Sequence, residues 1–263
     1  DPTLSVERKA ESHELLVSAM GQVHLDVSLE RMKRRFGVEV DVETPKVPYR
    51  ETIRGTTKVQ GRHKKQSGGR GQFGDTWIEI SPLEKGGGFV FEDNIVGGAI
   101  PKTYIPAVEK GIKETMGQGV VAGYPMVDIK VRLYDGSYHD VDSSEIAFKI
   151  AGSVGFKKGV PDCGPILLEP IMIINVAVPS EFVGDIMGDL NSKRGKILGV
   201  DGDDNQQNVR AEVPMAEVLN YSADLNSMTS GKGIFTMEFG HYDSVPEHLK
   251  ANIIEGNKKI GKR

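Results

Sequence analysis

Residues 62–74 of the sequence, RHKKQSGGRGQFG, have the composition of a loop that contacts phosphate groups. Arginine and lysine supply charge to phosphates, and glycine lets a backbone approach them closely. Phe73 adds an aromatic face on which a base could stack. The candidate contact residues are Gln66, Ser67, Gly68, Gly69 and Arg70, with Arg62, His63, Lys64 and Lys65 as supporting basic residues. A basic, disordered hairpin tip is the alternative that these residues leave open.

A second stretch, GSYHD, combines an aromatic ring, an imidazole and a hydroxyl group in one short loop. Its residues are Gly136, Ser137, Tyr138, His139 and Asp140. A loop of this composition between a strand and a helix is typical of a contact surface. A lone histidine is more often structural or merely solvent-exposed, and that alternative stays open on the residues alone. Spacing does not determine whether the two stretches meet at one end of a domain.

The sequence contains no set of residues suited to covalent or metal chemistry. The phosphate-binding pattern GxxxxGK[ST] is absent, and the acidic hairpin 201–204 lacks the spacing and the final glutamate of an EF-hand. Cys163 is the only cysteine, has no histidine or basic residue beside it, and is expected to be a small linker residue. We therefore expect no catalytic residue, metal site or cofactor in this chain, and a reducing, cytoplasmic setting.

Composition limits how the chain could meet a partner. Of its 263 residues, 38% are hydrophobic and 27% are charged, which is typical of a globular protein with two or three domains. A net charge of −4 argues against coating nucleic acid through an overall positive field, so any RNA contact must be local. No apolar run approaches the roughly 18 residues of a membrane span, so no membrane partner is expected.

The two stretches must be held by the elements beside them. Strands are predicted at 52–61 and 72–80, on either side of the basic stretch. Val131–Tyr134 alternates as the end of a strand, with a turn at 135–137 and a helix from about Ser143 that Asp142 would cap. Its apolar face would comprise Ile146, Ala147, Ile150, Ala151 and Val154. A further helix is expected from Pro101 to Met116, with Ile105, Val108, Ile112 and Met116 forming its buried stripe.

Periodicity predicts an incomplete domain before this region and a complete one after it. Residues 1–44 are predicted to be strand, strand, helix and a closing strand at Val38–Val42, the second part of a split βαβ domain. The helix spans about Gln22 to Phe36, and its basic face is either solvated or in contact with RNA. After Pro161–Pro165 the order is βαββαβ, a ferredoxin-like domain. The fold class is therefore α+β and multidomain, and we infer a piece of a longer protein.

Several long motifs carry a strong resemblance to bacterial elongation factor G, in family order over essentially the whole chain. They are RRFGVEV, KQSGGRGQFG, YDGSYHDVDSSEIAFKIAG, GDLNSKRG and MTSGKGIFTMEF. The resemblance implies part of domain III at 1–44, an S5-like α/β domain IV at 45–164 and a ferredoxin-like domain V at 165–242. It leaves a tail at 243–263, expected to be helical and packed on domain IV. It also implies that GTP and magnesium bind a GTPase domain that this chain lacks.

The resemblance further implies a mechanical function on the ribosome. In this family domain IV enters the small-subunit decoding centre and contacts the tRNA–mRNA duplex during translocation. Its tip loops match Gln66, Ser67, Gly68, Gly69 and Arg70 together with Gly136, Ser137, Tyr138, His139 and Asp140. Domain V would contact large-subunit rRNA near the stalk base, through Lys193 and Arg194. The expected partners are the ribosome, tRNA, mRNA and the missing GTPase domains, with the protein a monomer.

Some positions depart from the commonest form of the family, namely Asp75, residues 155–163, Asn220 and Ser222. These departures leave room for a paralogue that acts in ribosome recycling. A ribosomal protection protein is a weaker alternative because the tip motif resembles that of a translocase. A free-standing RNA-binding module is the remaining alternative, and it would need a complete first domain.

Overall fold

The computed structural model describes residues 2–8, 15–19, 21–66 and 71–260. These residues belong to two compact units. Unit 1 combines residues 1–48 with 169–243, and unit 2 combines residues 49–168 with 244–263.

The N-terminal part of unit 1 is a hairpin followed by a helix. Strands β1 (Ser5–Arg8) and β2 (Leu15–Ser18) pair with each other and precede helix α1 (Gln22–Phe36). Gly37 ends the helix with a φ of 66°, a left-handed conformation that glycine adopts at low cost. The predicted closing strand at 38–42 is wrong. Its valines are exposed and pair with no described strand, so the alternating pattern has no buried face to match it.

Unit 2 is built around a four-stranded sheet in the order β4-β5-β7-β6, with helices α2 and α3 packed on it. Its elements are β3 (Arg50–Ile53), β4 (Thr57–Lys65), β5 (Gln72–Pro82), β6 (Phe89–Asp93), α2 (Ile105–Gln118), β7 (Ile129–Ser137) and α3 (Glu145–Gly159). Ile78, Leu133, Ile112 and Phe148 are fully buried between the sheet and the helices. The buried stripe predicted for α2 is confirmed. The helix begins at Ile105 rather than Pro101, whose carbonyl instead closes a turn.

Strand β7 is longer than predicted. Residues 135–137 do not turn, because β5 runs beside them and pairs Asp75 with Ser137 and Trp77 with Asp135. The register shifts between Trp77 and Ile78, which leaves Tyr134 as an extra residue on β7. Strand β7 therefore stays paired with β5 as far as Ser137, and the loop begins after that residue.

Helix α3 differs from its prediction in its cap and in part of its buried face. The Ser144 hydroxyl, not Asp142, accepts from the backbone N–H of Ala147. Ala147 and Ala151 are fully buried as predicted, whereas Ile146 is 63% exposed and Val154 is 40% exposed. Phe148, Gly155 and Phe156 complete the buried face. Glycine contacts decide this orientation, since a Cβ on Gly61 would lie 2.6 Å from the Gly155 nitrogen. The helix packs closest where its side chains are smallest.

The C-terminal part of unit 1 has the predicted βαββαβ order. Its elements are β8 (Pro165–Pro179), α4 (Val183–Ser192), β9 (Lys196–Gly202), β10 (Gln206–Pro214), α5 (Tyr221–Thr229) and β11 (Ile234–Ser244). The strand order β11-β8-β10-β9 is that of a ferredoxin-like sheet, so the fold class is confirmed. Ile174, Val176, Ile186 and Leu190 are buried between the sheet and its helices.

The last helix, α6 (Glu247–Ile260), belongs to unit 2. Leu249, Ile253 and Ile254 pack against Ala122 and Leu167, and strand β3 pairs with the first residues of β8. Among the described residues, no helix is both long enough and apolar enough to cross a membrane.

Candidate nucleic-acid interface

The two stretches singled out in the sequence meet at one end of the unit 2 sheet. Phe73, at the start of β5, and Ser143, just before α3, form a parallel backbone bridge. The Phe73 N–H donates to the Asp142 carbonyl at 2.9 Å, and the Ser143 hydroxyl donates to the Phe73 carbonyl at 3.0 Å. We call residues 62–66, 71–73 and 138–143 the tip.

The hairpin side of the tip presents positive charge. Lys64 and Lys65 are exposed, and neither forms an ion pair with any residue that the structure describes. The His63 Nε2 atom shares a hydrogen bond with the Gln72 side chain at 2.9 Å, and the Arg62 guanidinium lies 5.6 Å from the centre of the Phe73 ring. The cations therefore line both faces of the end of β4, since alternate residues of a strand point to opposite faces.

Part of the predicted hairpin loop lies outside the described residues. Gln66 is exposed directly after β4, whereas Ser67, Gly68, Gly69 and Arg70 are not among the residues that the structure describes. The chain resumes at Gly71, whose N–H donates to the Asp142 carboxylate at 3.1 Å. The base of the hairpin loop is thus attached to the neighbouring loop.

The second loop exposes four of its predicted contact residues, which are Ser137, Tyr138, His139 and Asp140. Tyr138 is 45% exposed, the His139 side chain 58% exposed, and Asp140 is also at the surface. The His139 Nδ1 atom accepts from the backbone N–H groups of Val141 and Asp142, both at 3.3 Å. An imidazole whose Nδ1 accepts carries its proton on Nε2 when neutral. The loop therefore leaves the His139 Nε2–H as the donor available to a partner.

Gly136 and Ser137 also have structural partners, although Ser137 is exposed. The Ser137 hydroxyl donates to one oxygen of the Asp75 carboxylate at 3.0 Å, and the Gln60 amide donates to the other at 2.8 Å. A Cβ on Gly136 would lie 2.4 Å from the Asp75 carbonyl oxygen, so the close strand pairing requires glycine. Both residues therefore support the tip through their contacts with Asp75.

Sequence reasoning did not assign Asp75 or Ser143 to the site. Asp75 is 8% exposed and Ser143 is 5% exposed, and each bonds residues that are distant in the chain. The only signal in the sequence for Asp75 was its departure from the family pattern. For Ser143 the signal was its position at the predicted start of the helix.

The predicted rRNA-contacting pair in unit 1, Lys193 and Arg194, is engaged within its own domain. The Lys193 ammonium lies 2.6 Å from Asp189 and 3.2 Å from Asp224. Burial opposes its charged form, but hydrogen bonds to these two carboxylates outweigh that effect and raise the pKa of Lys193. The hydrogen bond to Glu169 raises the pKa of Arg194. The ion pairs give both side chains a structural role, and an rRNA contact by them stays a prediction.

The acidic hairpin at 201–204 forms a hydrogen-bonded turn. The Asp203 carboxylate accepts from the backbone N–H groups of Asn205 and Gln206 at 2.9 and 2.8 Å, and these bonds lower its pKa, the one from Gln206 most. Across residues 2–8, 15–19, 21–66 and 71–260, no group of three or more histidine, cysteine or carboxylate side chains could hold a metal ion.

Comparison with known proteins gives three consecutive family matches. Residues 1–44 match a model of elongation factor G domain III, residues 45–164 match elongation factor G domain IV, and residues 166–253 match the elongation factor G C-terminus. A crystal structure of a protein from Thermus thermophilus is similar, with 46% sequence identity and a TM-score of 0.87. The match covers 98% of this chain and 39% of the Thermus chain, so this chain spans well under half of that protein's length.

Proposed function

Because this chain belongs to the elongation factor G family, we propose that it serves tRNA–mRNA translocation on the ribosome during elongation. In this proposal the tip enters the small-subunit decoding centre and contacts the tRNA–mRNA duplex. The chain contributes contacts rather than a reaction, and we assign GTP and Mg²⁺ binding to a separate GTPase domain. The family matches to domains III and IV and to the C-terminus support this assignment.

The observation that carries the proposal is the meeting of the two loops at one end of unit 2. It places the exposed Tyr138, His139 and Asp140 beside the cationic end of β4. RNA is commonly recognised through its phosphates, its 2′-hydroxyls and its stacked bases, and the tip offers a matching group for each. Lys64 and Lys65 suit phosphates, the His139 Nε2–H suits a sugar or phosphate oxygen, and Tyr138 has a ring for stacking.

Contacts of this kind do not read the base sequence, because phosphates and sugars are the same in every codon. A factor that must act on every tRNA needs that independence. The tip would then act as a physical block that holds the displaced duplex and keeps the tRNA from slipping back. Lys193 and Arg194 would stabilise the turn of domain V that faces rRNA near the stalk base. Their charges would stay paired with carboxylates of the same domain.

The test joins this chain to the GTPase half of an elongation factor G with established activity. Single-turnover tRNA–mRNA movement on pre-translocation ribosomes is then compared for the native sequence, His139→Ala and His248→Ala. His248 is exposed on α6, so its substitution is a matched control. We expect His139→Ala to slow movement by about tenfold, which corresponds to about 1.4 kcal/mol in the barrier. The control should move tRNA at the native rate.

Two outcomes would contradict the proposal. If the native joined factor binds ribosomes and hydrolyses GTP yet moves nothing, a recycling function takes its place. If His139→Ala moves tRNA as fast as the native sequence, the tip contact is wrong. GTP turnover by the pure chain would overturn the assignment of that activity to a separate domain.

A further inference from the structure

A single hydroxyl group joins the two loops of the tip. The Ser143 Oγ atom accepts from the His139 N–H at 2.9 Å and donates to the Phe73 carbonyl at 3.0 Å. The first partner lies in the loop after β7 and the second lies at the start of β5. Because Ser143 is 5% exposed, water cannot easily replace either bond. Loss of the hydroxyl would leave a polar backbone group unsatisfied in both loops.

Asp142 makes a second link of the same kind. Its carbonyl accepts from the Phe73 N–H at 2.9 Å, and its carboxylate accepts from the Gly71 N–H at 3.1 Å. A Cβ on Gly71 would lie 2.9 Å from that carboxylate, so the glycine allows this close approach. Gly71 and Phe73 are thus both attached to the residues that follow His139.

We propose that Ser143 is a positioning residue: its bonds join residues 71–73 to the loop 138–142, and this link, which we call the clasp, fixes His139 relative to the cationic end of β4. This inference rests on the proposed function, because it concerns how the tip meets RNA. Ser143 itself is buried and contacts no ligand. Its bonds form during folding, so that RNA binding does not carry the entropy cost of ordering residues 71–73 and 138–142.

If the clasp exists, a substitution that loosens one loop should also loosen the other. Hydrogen exchange of the backbone amides of the chain alone measures this directly. Ser143→Ala should speed exchange of His139 in its own loop, and of Gly71 and Phe73 in the other, by at least about tenfold. Ser143→Thr keeps a hydroxyl and should stay close to the native rates. Ser81→Ala on β5, whose hydroxyl bonds no described residue, is the matched control.

Asp142→Ala provides an independent variant, which removes the carboxylate link but leaves the Ser143 hydroxyl in place. It should speed exchange at Gly71 more than at His139. The clasp is wrong if Ser143→Ala speeds exchange at His139 alone and leaves residues 71–73 at the native rates. Thermal unfolding of each variant shows whether unit 2 as a whole stays folded.

The functional experiment uses this chain joined to the GTPase half of an elongation factor G. Ser143→Ala should lower the maximal rate of tRNA movement by about tenfold, with ribosome-stimulated GTP hydrolysis and the factor concentration at half-maximal rate near their native values. Ser143→Thr should restore the rate. Equal rates for native and Ser143→Ala factors, despite faster amide exchange, would overturn the positioning role. If even the native factor moves no tRNA, the proposed function fails while the exchange result still decides whether the clasp exists.

Discussion

The guanidinium of Arg194 donates to both carboxylate oxygens of Glu169, with nitrogen to oxygen distances of 2.7 and 2.9 Å. Glu169, on β8, is 3% exposed, and Arg194 follows α4 with a left-handed φ of 61°. The Arg194 Nε atom also donates to Glu217 at 2.9 Å. The turn between α4 and β9 is therefore anchored to the central strand of its domain by charge-assisted hydrogen bonds.

Arg194→Ala should destabilise domain V strongly. Removing one partner leaves the buried Glu169 carboxylate without its counter-charge, which costs about 3–5 kcal/mol of unfolding free energy. Native-state amide exchange of β10 measures the opening free energy of this sheet. Lys196→Ala is the control, since its side chain is 77% exposed and its ammonium lies 3.9 Å from Glu212. A change below about 0.5 kcal/mol is expected there. Equal effects of the two substitutions would contradict this assignment.

Glu51 should be essential to the stability of unit 2. This residue is 1% exposed, and its carboxylate accepts from four backbone N–H groups in residues 120–124, at 2.7–3.0 Å. Glu51→Ala leaves these donors without their acceptor and should cost at least about 3 kcal/mol. Glu51→Gln retains one acceptor oxygen and should cost less. Urea unfolding followed by the fluorescence of Trp77, the only tryptophan, measures both variants.

A suitable control for Glu51 is Glu92→Ala. Glu92 is 39% exposed and pairs with Lys130 at 2.7 Å on the sheet surface, so a change below about 1 kcal/mol is expected. If Glu51→Ala unfolds at the same urea concentration as Glu92→Ala, the buried carboxylate does not organise the 120–124 segment.

Stability of unit 2 should fall in strong alkali because of Tyr124. Burial, together with Tyr49 and Glu51, raises the pKa of Tyr124 from 10.0 to about 12. The folded state therefore favours the neutral phenol, and this contribution is complete below pH 10 and is lost as the pH rises toward 12. Over this interval the unfolding free energy of the native chain should fall relative to that of Tyr124→Phe. An absorbance titration that places the ionisation of Tyr124 near pH 10 would contradict the prediction.

Ribosome binding by this chain should weaken as salt rises. If Lys64 and Lys65 each neutralise a phosphate, replacing both with alanine should lower the slope of log affinity against log salt by about 1.4–1.8. Replacing Lys113 and Lys149, which pair with Glu109 and Glu114 on α2, makes the same charge change away from the tip. That variant should keep the native slope. Binding that does not respond to salt would argue against the tip as the contact.

Local pattern predicted most of the elements. The βαββαβ order of the C-terminal part follows from alternation and turn residues, and the buried stripe of α2 follows from its 3.6-residue period. The predictions for individual elements were wrong where a neighbouring strand or helix determines the local structure. Strand β7 extends to Ser137 because β5 lies beside it. Helix α3 buries Phe148 and Phe156 rather than Ile146 and Val154, and it approaches the sheet closely where Gly61 and Gly155 meet.

The sequence by itself determined the fold class, the family resemblance and which residue types could contact RNA, because periodicity, turn chemistry and motifs are properties of neighbouring residues. Only the tertiary structure decided which of those residues are free to do so. Ser143 and Phe73 are 70 positions apart, Asp75 and Ser137 are 62 apart, and Arg194 and Glu169 are 25 apart. Pairs at such separations are made by strand register and helix packing, and local spacing carries no record of them.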